Sequence, residues 1–309
     1  MTTKIISILF RAIVGAAFIF SAYAKLYPVE IFELKFVESG LAGWNAAPFM
    51  ARLFISAECT LGLFLLLNID FNITVKVIIA ALILFTLYLL YRMAFLPEEE
   101  DCGCFGLILP MTPGVSAIKN GILLTLCFIL LKINKTTAHW KYMKWTRLGI
   151  VTAALALPFI LNPVYAAMPD AFTTDLSGTR LNIEILKEFK DENGKSVSLA
   201  PGKNILFFFS MNCRFCKLTA KKAGIMRERS KDKNLPFYFV FWGEEKEIAP
   251  FLEATHTWGI PSQPVSADVF FPLSGNSLPS IYLLENGIVV KKLGFLSFSQ
   301  DEVEQFLQK

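Results

Sequence analysis

Charge is scarce in this chain of 309 residues: Asp, Glu, Lys and Arg together make up 18% of it, and the net charge is +4. No basic stripe interleaved with aromatics occurs, so the electrostatic footprint of a nucleic-acid binder is missing. Histidine is scarcer still. His139 and His256 are the only two, and no second Cys-x-x-Cys supplies the rest of a tetrahedral zinc site. A Ser/His/Asp arrangement, a glycine-rich phosphate loop and an internal repeat are all absent. Hydrolysis by a triad, phosphate cradling by a P-loop and a solenoid architecture are thereby set aside.

What the chain has is apolar length. Its hydrophobic fraction is 54%, and the excess lies almost entirely before residue 170. Five stretches reach spanning length: roughly Ile5–Ala24, Ala47–Ile69, Ile73–Phe95, Gly114–Leu131 and Leu148–Ala166. More hydrophobic segments follow the first, so it is not only a cleaved leader. Lys132, Lys135, Lys141, Lys144 and Arg147 lie between the fourth and fifth spans with no acid among them, which predicts a cytoplasmic loop. Alternation then puts residues 97–104 and everything after residue 167 on the outer side. Lys4 and Arg11 agree by placing the N-terminus inside. Val164-Tyr165-Ala166 resembles a small-residue cleavage site, and a retained tether is the reading preferred there.

Several charges interrupt or flank the spans. Lys25, Arg52 and Arg92 are expected to snorkel toward the interface. Glu58 falls near mid-span, where a carboxylate must be paired or protonated. Arg11 or Lys119 is its expected partner, and the two readings are a structural ion pair and proton handling. Cys59 and Cys127 lie in apolar runs, where a thiol acts as a small inert hydrophobe; a redox pair between them is the other reading.

The remaining cysteines form two pairs, Cys102-Gly103-Cys104 and Cys213-Arg214-Phe215-Cys216. From Met168 the pattern changes to alternating strands and helices. Asn204–Ser210 reads as a buried strand, Lys217–Arg229 as a basic helix and Leu235–Trp242 as a second buried strand. A helical stretch near Glu245–Thr255 precedes Ser280–Leu284 and Ile288–Leu293, which Asn286-Gly287 joins as a hairpin. Ser299-Gln300-Asp301-Glu302 predicts a capping box opening a last helix. Cys213 thus sits between a strand and a helix N-terminus, whose dipole favours a thiolate, and Arg214 adds a positive charge beside it. Cys213 is the expected nucleophile, and Cys216, one turn on, the resolving thiol. For Cys102 and Cys104 three readings stay open: a strained redox disulfide, a soft-metal pair suited to copper(I), and a structural bridge.

Phe20-Ser21-Ala22-Tyr23-Ala24-Lys25-Leu26 and Glu58-Cys59-Thr60-Leu61-Gly62 resemble DoxX-like and MauE-type membrane proteins. The run Asp101-Cys102-Gly103-Cys104-Phe105-Gly106 resembles the MauE branch in particular. That resemblance covers about residues 5–132 and implies a four-helix bundle. MauE-type proteins are associated with maturation of a disulfide-rich methylamine dehydrogenase alongside a thioredoxin-like partner; nothing in this chain points to methylamine. Residues of about 180–309 resemble the thioredoxin superfamily, closest to its membrane-tethered TlpA and ResA branch. The resemblance implies that Pro279, after Leu278, is the cis-proline that seats the client chain. It also marks two departures: Asn212 stands where tryptophan is common, and Arg214-Phe215 is the dipeptide, both bearing on client choice.

The expected fold is an α-helical membrane bundle of four helices plus a fifth tethering helix, followed by an α/β thioredoxin-like domain. The expected division is residues 1–135, a basic loop and fifth span at 136–167, and residues 168–309. The expected function is thiol–disulfide exchange on cysteine-containing exported proteins at a bacterial inner membrane, with the last domain periplasmic. Cys213 and Cys216 serve clients and Cys102 and Cys104 form a second redox centre. The disulfides themselves are the redox groups; no residue requires a quinone or other cofactor. Rival readings are a non-catalytic anchor or assembly factor and a copper-delivery protein. The client, the direction of electron flow and the oligomeric state are not fixed by the sequence.

Overall fold

The computed structural model describes residues 2–95, 111–134, 143–164, 177–186, 189–191, 194–230, 235–275 and 277–308. The chain forms two compact units, Met1–Val164 and Tyr165–Lys309. Asp101, Cys102 and Cys104 lie outside the described residues, as does the Tyr165-Ala166 end of the cleavage-like motif.

The first unit is helical: α1 (Thr2–Leu26), α2 (Val29–Glu38), α3 (Ala47–Leu66), α4 (Phe71–Phe95), α5 (Pro113–Ile133) and α6 (Met143–Leu161). All but α2 are long and apolar enough to cross a membrane. Local chemistry sets several ends. Pro28 follows α1, a proline stands in the first turn of α3, and Thr112 caps α5 by accepting from Val115 N, with Pro113 as its first residue.

Side chains of α1, α3, α4 and α5 share one core that includes Val14, Phe18, Leu65, Phe71, Ile78, Leu123 and Cys127. Neighbouring helices run antiparallel. Val14 meets Leu65 in that core, whereas Ala22 packs with Ile55. Asn134 at the end of α5 donates to Asn68 just after α3, and Asn120 near the start of α5 donates to Thr86 far along α4. Helix α6 packs along α3, with Arg147 at its start on Asp70 and Asn162 at its end on Arg52. The end of α4, the start of α5 and the end of α6 therefore share one end of the bundle.

Backbones approach most closely between α1 and α3. A Cβ on Gly62 would stand 2.8 Å from an Ile19 side-chain carbon and 2.9 Å from Gly15 O. Only a residue without a side chain fits there.

Lys25, Arg52 and Arg92 do not snorkel. They are 4%, 1% and 3% exposed, held inside the bundle by partners. Expectation and structure differ because a span read alone shows depth but not which face meets another helix.

The second unit is built on a seven-stranded sheet of order β2-β1-β5-β4-β3-β6-β7. Its centre is β3 (Lys203–Ser210), parallel to β4 (Phe237–Trp242) and antiparallel to β6 (Ser280–Glu285). Beyond them lie β5 (Ser262–Val265), β7 (Ile288–Leu293) and the small hairpin of β1 (Phe189–Lys190) and β2 (Ser196–Val197). Helices α7 (Arg214–Arg229), α8 (Ile248–Thr255), α9 (Ala267–Ser274) and α10 (Gln300–Gln308) complete the unit.

Strand β3 is buried on both faces, which explains its unbroken apolar run. Phe208 on one face packs edge-on to Phe270 of α9 and Tyr282. Phe207 on the other packs edge-on to Phe237, Phe239 and Phe298. The β6–β7 turn has positive φ at both Asn286 and Gly287, as the Asn-Gly signal requires. The capping box before α10 forms by half: Ser299 Oγ accepts from Glu302 N at 3.3 Å, while the Glu302 carboxylate takes Lys291 Nζ at 2.8 Å.

Gly62→Val forces α1 and α3 apart, with an expected loss of about 2 kcal/mol. Thermal unfolding of the full chain in detergent measures it, and an unchanged midpoint would show that the helices part freely.

Candidate active site

Where β3 ends the chain turns, and Cys213 N donates to Ser210 O at 3.0 Å. Cys213 then becomes the N-cap of α7 in extended conformation, φ −78° and ψ 118°. Its sulfur accepts from Cys216 N at 3.3 Å. Asp, Ser and Thr usually take this role; here a sulfur does, so one of the helix's orphan donors is satisfied by the reactive atom itself. Both thiols are free; Cys213 is half-buried and Cys216 is fully buried.

This arrangement separates the two thiols electronically. A hydrogen bond from the Cys216 thiol is the main force holding Cys213 down, to a pKa of about 6, against the opposing effect of burial. The backbone N–H groups of Cys216 and Phe215 add to it. Burial pushes Cys216 far above the ordinary thiol range, and its bond to Cys213 pushes it the same way. At neutral pH one sulfur is a thiolate and the other keeps its proton. Hydrogen bonds, rather than the charge of Arg214, are what lower Cys213. The Arg214 guanidinium instead lies over the Phe215 ring, 5.8 Å from its centroid.

Leu278–Pro279 is a cis peptide bond, and Pro279 is buried. It immediately precedes β6, whose Ser280 stands opposite Phe208. Pro279 therefore lies at the end of the sheet from which Cys213 emerges, with Leu278 half-buried beside it. Ser280 Oγ donates to Ser274 O at 2.6 Å, and Lys292 Nζ donates to the same oxygen at 3.1 Å, fixing the turn that carries them. Two aromatics unmarked by sequence border this end. Phe295 packs at a tilt against the exposed Phe215 with centroids 5.1 Å apart, and half-exposed Trp242 is in register with Ser210. Neither carries a motif; only folding brings it near the cysteines.

In the helical unit Glu58 is paired, and its direct partner is Lys25, a residue the spans read alone do not single out. Lys25 Nζ reaches both its oxygens at 2.8 Å and also donates to Ser21 Oγ at 2.6 Å. Lys119 lies within electrostatic range of this pair. The spacing of Ser21 and Lys25, one helical turn, is visible in the sequence; the crossing of α1 and α3 that delivers Glu58 to them is not. Cys59 and Cys127 are both free and pack into different clusters, one around Ala22 and Ile55 and the other around Val14 and Leu123. Among the described residues, no three of His, Cys, Asp and Glu gather as a metal site.

Two outcomes are expected. Alkylation of Cys213 in the reduced protein rises with pH through a midpoint near about 6 and then levels, since only the thiolate reacts. Cys216→Ala removes the thiol donor and shifts that midpoint upward; mass spectrometry of the modified peptide against pH reads both. Glu58→Gln leaves the buried Lys25 charge without its partner and costs about 3 kcal/mol, more than the double change Lys25→Met with Glu58→Met. Equal losses from the single and double variants, in thermal melts of the full chain, would remove the pairing argument.

Residues 3–133 match the family described as methylamine utilisation protein MauE. Protein TlpB of Flavobacterium psychrophilum is 25% identical over 288 residues, covering 78% of this chain and 77% of that one. The thioredoxin domain of a thiol-disulfide oxidoreductase from Bacteroides vulgatus is 20% identical, covering 43% of this chain and 99% of its own, with a TM-score of 0.35. A secreted disulfide oxidoreductase of Mycobacterium tuberculosis is 14% identical, covering 40% and 97%, with a TM-score of 0.33. These two scores add nothing to the fold argument, which rests on the strand order, on a Cys-x-x-Cys opening the helix after the central strand, and on the cis-proline before β6. The chain thus joins a helical domain similar to MauE-type membrane proteins to an α/β domain with a thioredoxin-like arrangement.

Proposed function

We propose that the protein is a membrane-bound thiol–disulfide oxidoreductase acting on cysteine-containing exported proteins. One observation carries the reading: a half-buried Cys213 that caps α7, holds its pKa near about 6 and keeps a protonated Cys216 one turn away. Its thiolate attacks one sulfur of a client disulfide. A bond forms between Cys213 and that sulfur, the client's own S–S bond breaks, and the other client sulfur leaves as a thiolate. Cys216 then gives up its proton and attacks Cys213, releasing the client's second thiol. The client has gained two electrons and the Cys213–Cys216 pair is oxidised; the same steps run backward oxidise a client. Arg214 and Phe215, between the two cysteines, and Leu278 and Pro279, at the same end of the sheet, would seat the client chain.

Cys102 and Cys104 are proposed as the second redox centre, exchanging with Cys213 and Cys216. The bundle supports a shared side for both pairs, because α4 ends, α5 begins and α6 ends at one end of it. The basic residues between α5 and α6 favour the cytoplasm for the opposite end, which makes the shared side periplasmic in a bacterial inner membrane. Holding two exchange partners on one chain raises their effective concentration. The exchange steps themselves use only these four sulfurs and those of the client; turnover also needs an electron donor or acceptor that resets Cys102 and Cys104. In the rival reading the bundle is a passive anchor.

The test labels single-cysteine variants in intact cells with a membrane-impermeant maleimide after mild reduction. Labelling of Cys102, Cys104 and Cys213 from outside is expected, together with loss of client turnover in Cys102→Ser/Cys104→Ser while Cys213 alkylation persists. Labelling of Cys102 and Cys104 only after lysis, or undiminished turnover in the serine variant, would leave the bundle an anchor.

A further inference from the structure

The buried side chain of Arg52 joins three segments of the chain: α2, α3 and the residues just after α6. It is 1% exposed and lies in the second turn of α3. Its Nη1 donates to Glu33 Oε1 of α2 at 2.6 Å and to Pro48 O at 2.7 Å. Its Nε donates to Asn162 O at 2.7 Å, and Nη2 to Pro163 O at 3.2 Å. The last two carbonyls lie just beyond Leu161, where α6 presents the negative end of its dipole, and a guanidinium is the side chain that can meet two carbonyls and a carboxylate at once. The Phe159 ring lies 6.0 Å from the guanidinium carbon and packs on Phe49.

Helix α6 packs along α3 but is the least buried of the spans. Only 11% of its span is buried, against 28–33% for the other four spans. At its start Arg147 pairs with Asp70 at 2.6 Å, but those side chains are 38% and 30% exposed. Of the Arg147 and Arg52 staples, the buried one is at the end from which the chain continues to the thioredoxin-like domain. The Arg52 side chain is shielded from water far more than the Arg147 pair, so its contacts are screened less.

We propose that Arg52 is a positioning residue for exchange between Cys213/Cys216 and Cys102/Cys104: by clamping Asn162 and Pro163 to α2 and α3 it fixes the point on the bundle from which the thioredoxin-like domain is tethered. The proposal rests on the relay described above. It makes α6 a docked strut, so the effective concentration of one cysteine pair around the other is set by the chain after Pro163 and not by a helix that swings as well. Arg52 touches no sulfur, and its loss leaves the chemistry of Cys213 alone.

The experiment uses the full chain in lipid nanodiscs, with genetically encoded spin labels at the exposed Leu41 and Ile160. In the wild type a single narrow distance distribution is expected; Arg52→Gln broadens it. In the unlabelled chain, Arg52→Gln slows exchange between the two cysteine pairs by about tenfold, followed by rapid quench and alkylation. The pH midpoint of Cys213 alkylation and the reduction of a small soluble disulfide stay at wild-type values, which a general loss of folding would not allow. Arg52→Lys keeps the charge and loses the fork, and Glu33→Gln keeps the guanidinium with its carbonyl contacts; both are expected to fall between wild type and Arg52→Gln, and they carry the test if that variant does not fold. Exchange at the wild-type rate in variants whose distances have broadened overturns the proposal while the relay stands. Distances that stay narrow in every variant overturn it as well. Wild-type protein in which the two pairs do not exchange at all removes the relay itself, and the positioning role with it.

Discussion

A strand covered on both faces must end where its backbone can find partners off the sheet, and the way β3 ends governs the chemistry of this protein. Its last residue, Ser210, takes the Cys213 N–H, and the two turn residues Met211 and Asn212 place that cysteine at the head of α7. The helix offers N–H groups with no partner of their own. Because no Asp, Ser or Thr occupies the cap, those donors go to sulfur. Cys216, buried beneath, has no stable way to ionise and donates its thiol proton to the same atom. The difference between the two thiols thus follows from backbone geometry and burial, with no acid or base nearby required. Phe207 and Phe208 lock the strand from opposite faces, so the position of the nucleophile is as rigid as the core itself.

The helical unit obeys a different constraint. In an apolar medium each charge must meet a partner, so its ion pairs report which helices are neighbours. Lys25 with Glu58 joins α1 to α3, Arg52 with Glu33 joins α3 to α2, and Arg147 with Asp70 joins α6 to the turn between α3 and α4. Gly15 and Gly62 let two of these helices close to backbone contact. Helix α6 packs along α3 and is fastened at both ends by such polar staples, which bind a weakly buried span to the unit that precedes the redox domain.

Much of this was legible in the sequence, for local reasons. The spans follow from apolar length, β3 from an unbroken apolar run, and the β6–β7 hairpin from Asn286-Gly287, because each depends on residues close in the chain. Elements that break local rules were not legible. Strand β5 contains Pro264, yet its ladder to β1 involves only Ser262, so the missing N–H faces no partner on that side. Helix α9 contains Pro272, and short α2 falls between two longer apolar runs. The capping box before α10 had the right letters, but Glu302 finds in Lys291 a charge on a neighbouring strand and leaves the box half-made.

By itself the sequence determined that an apolar helical half precedes an α/β half, and that a Cys-x-x-Cys opens a helix after a buried strand. Periodicity and turn chemistry act over a few residues and need no knowledge of the rest. Only the tertiary structure decided that Lys25 answers Glu58, that Arg52 holds the end of α6, and that the Cys216 thiol rather than the Arg214 charge sets the acidity of Cys213. Those outcomes depend on which side chains meet once helices cross and a turn closes. At distances near 3 Å the nearest group prevails, and sequence separation says little about which group that is.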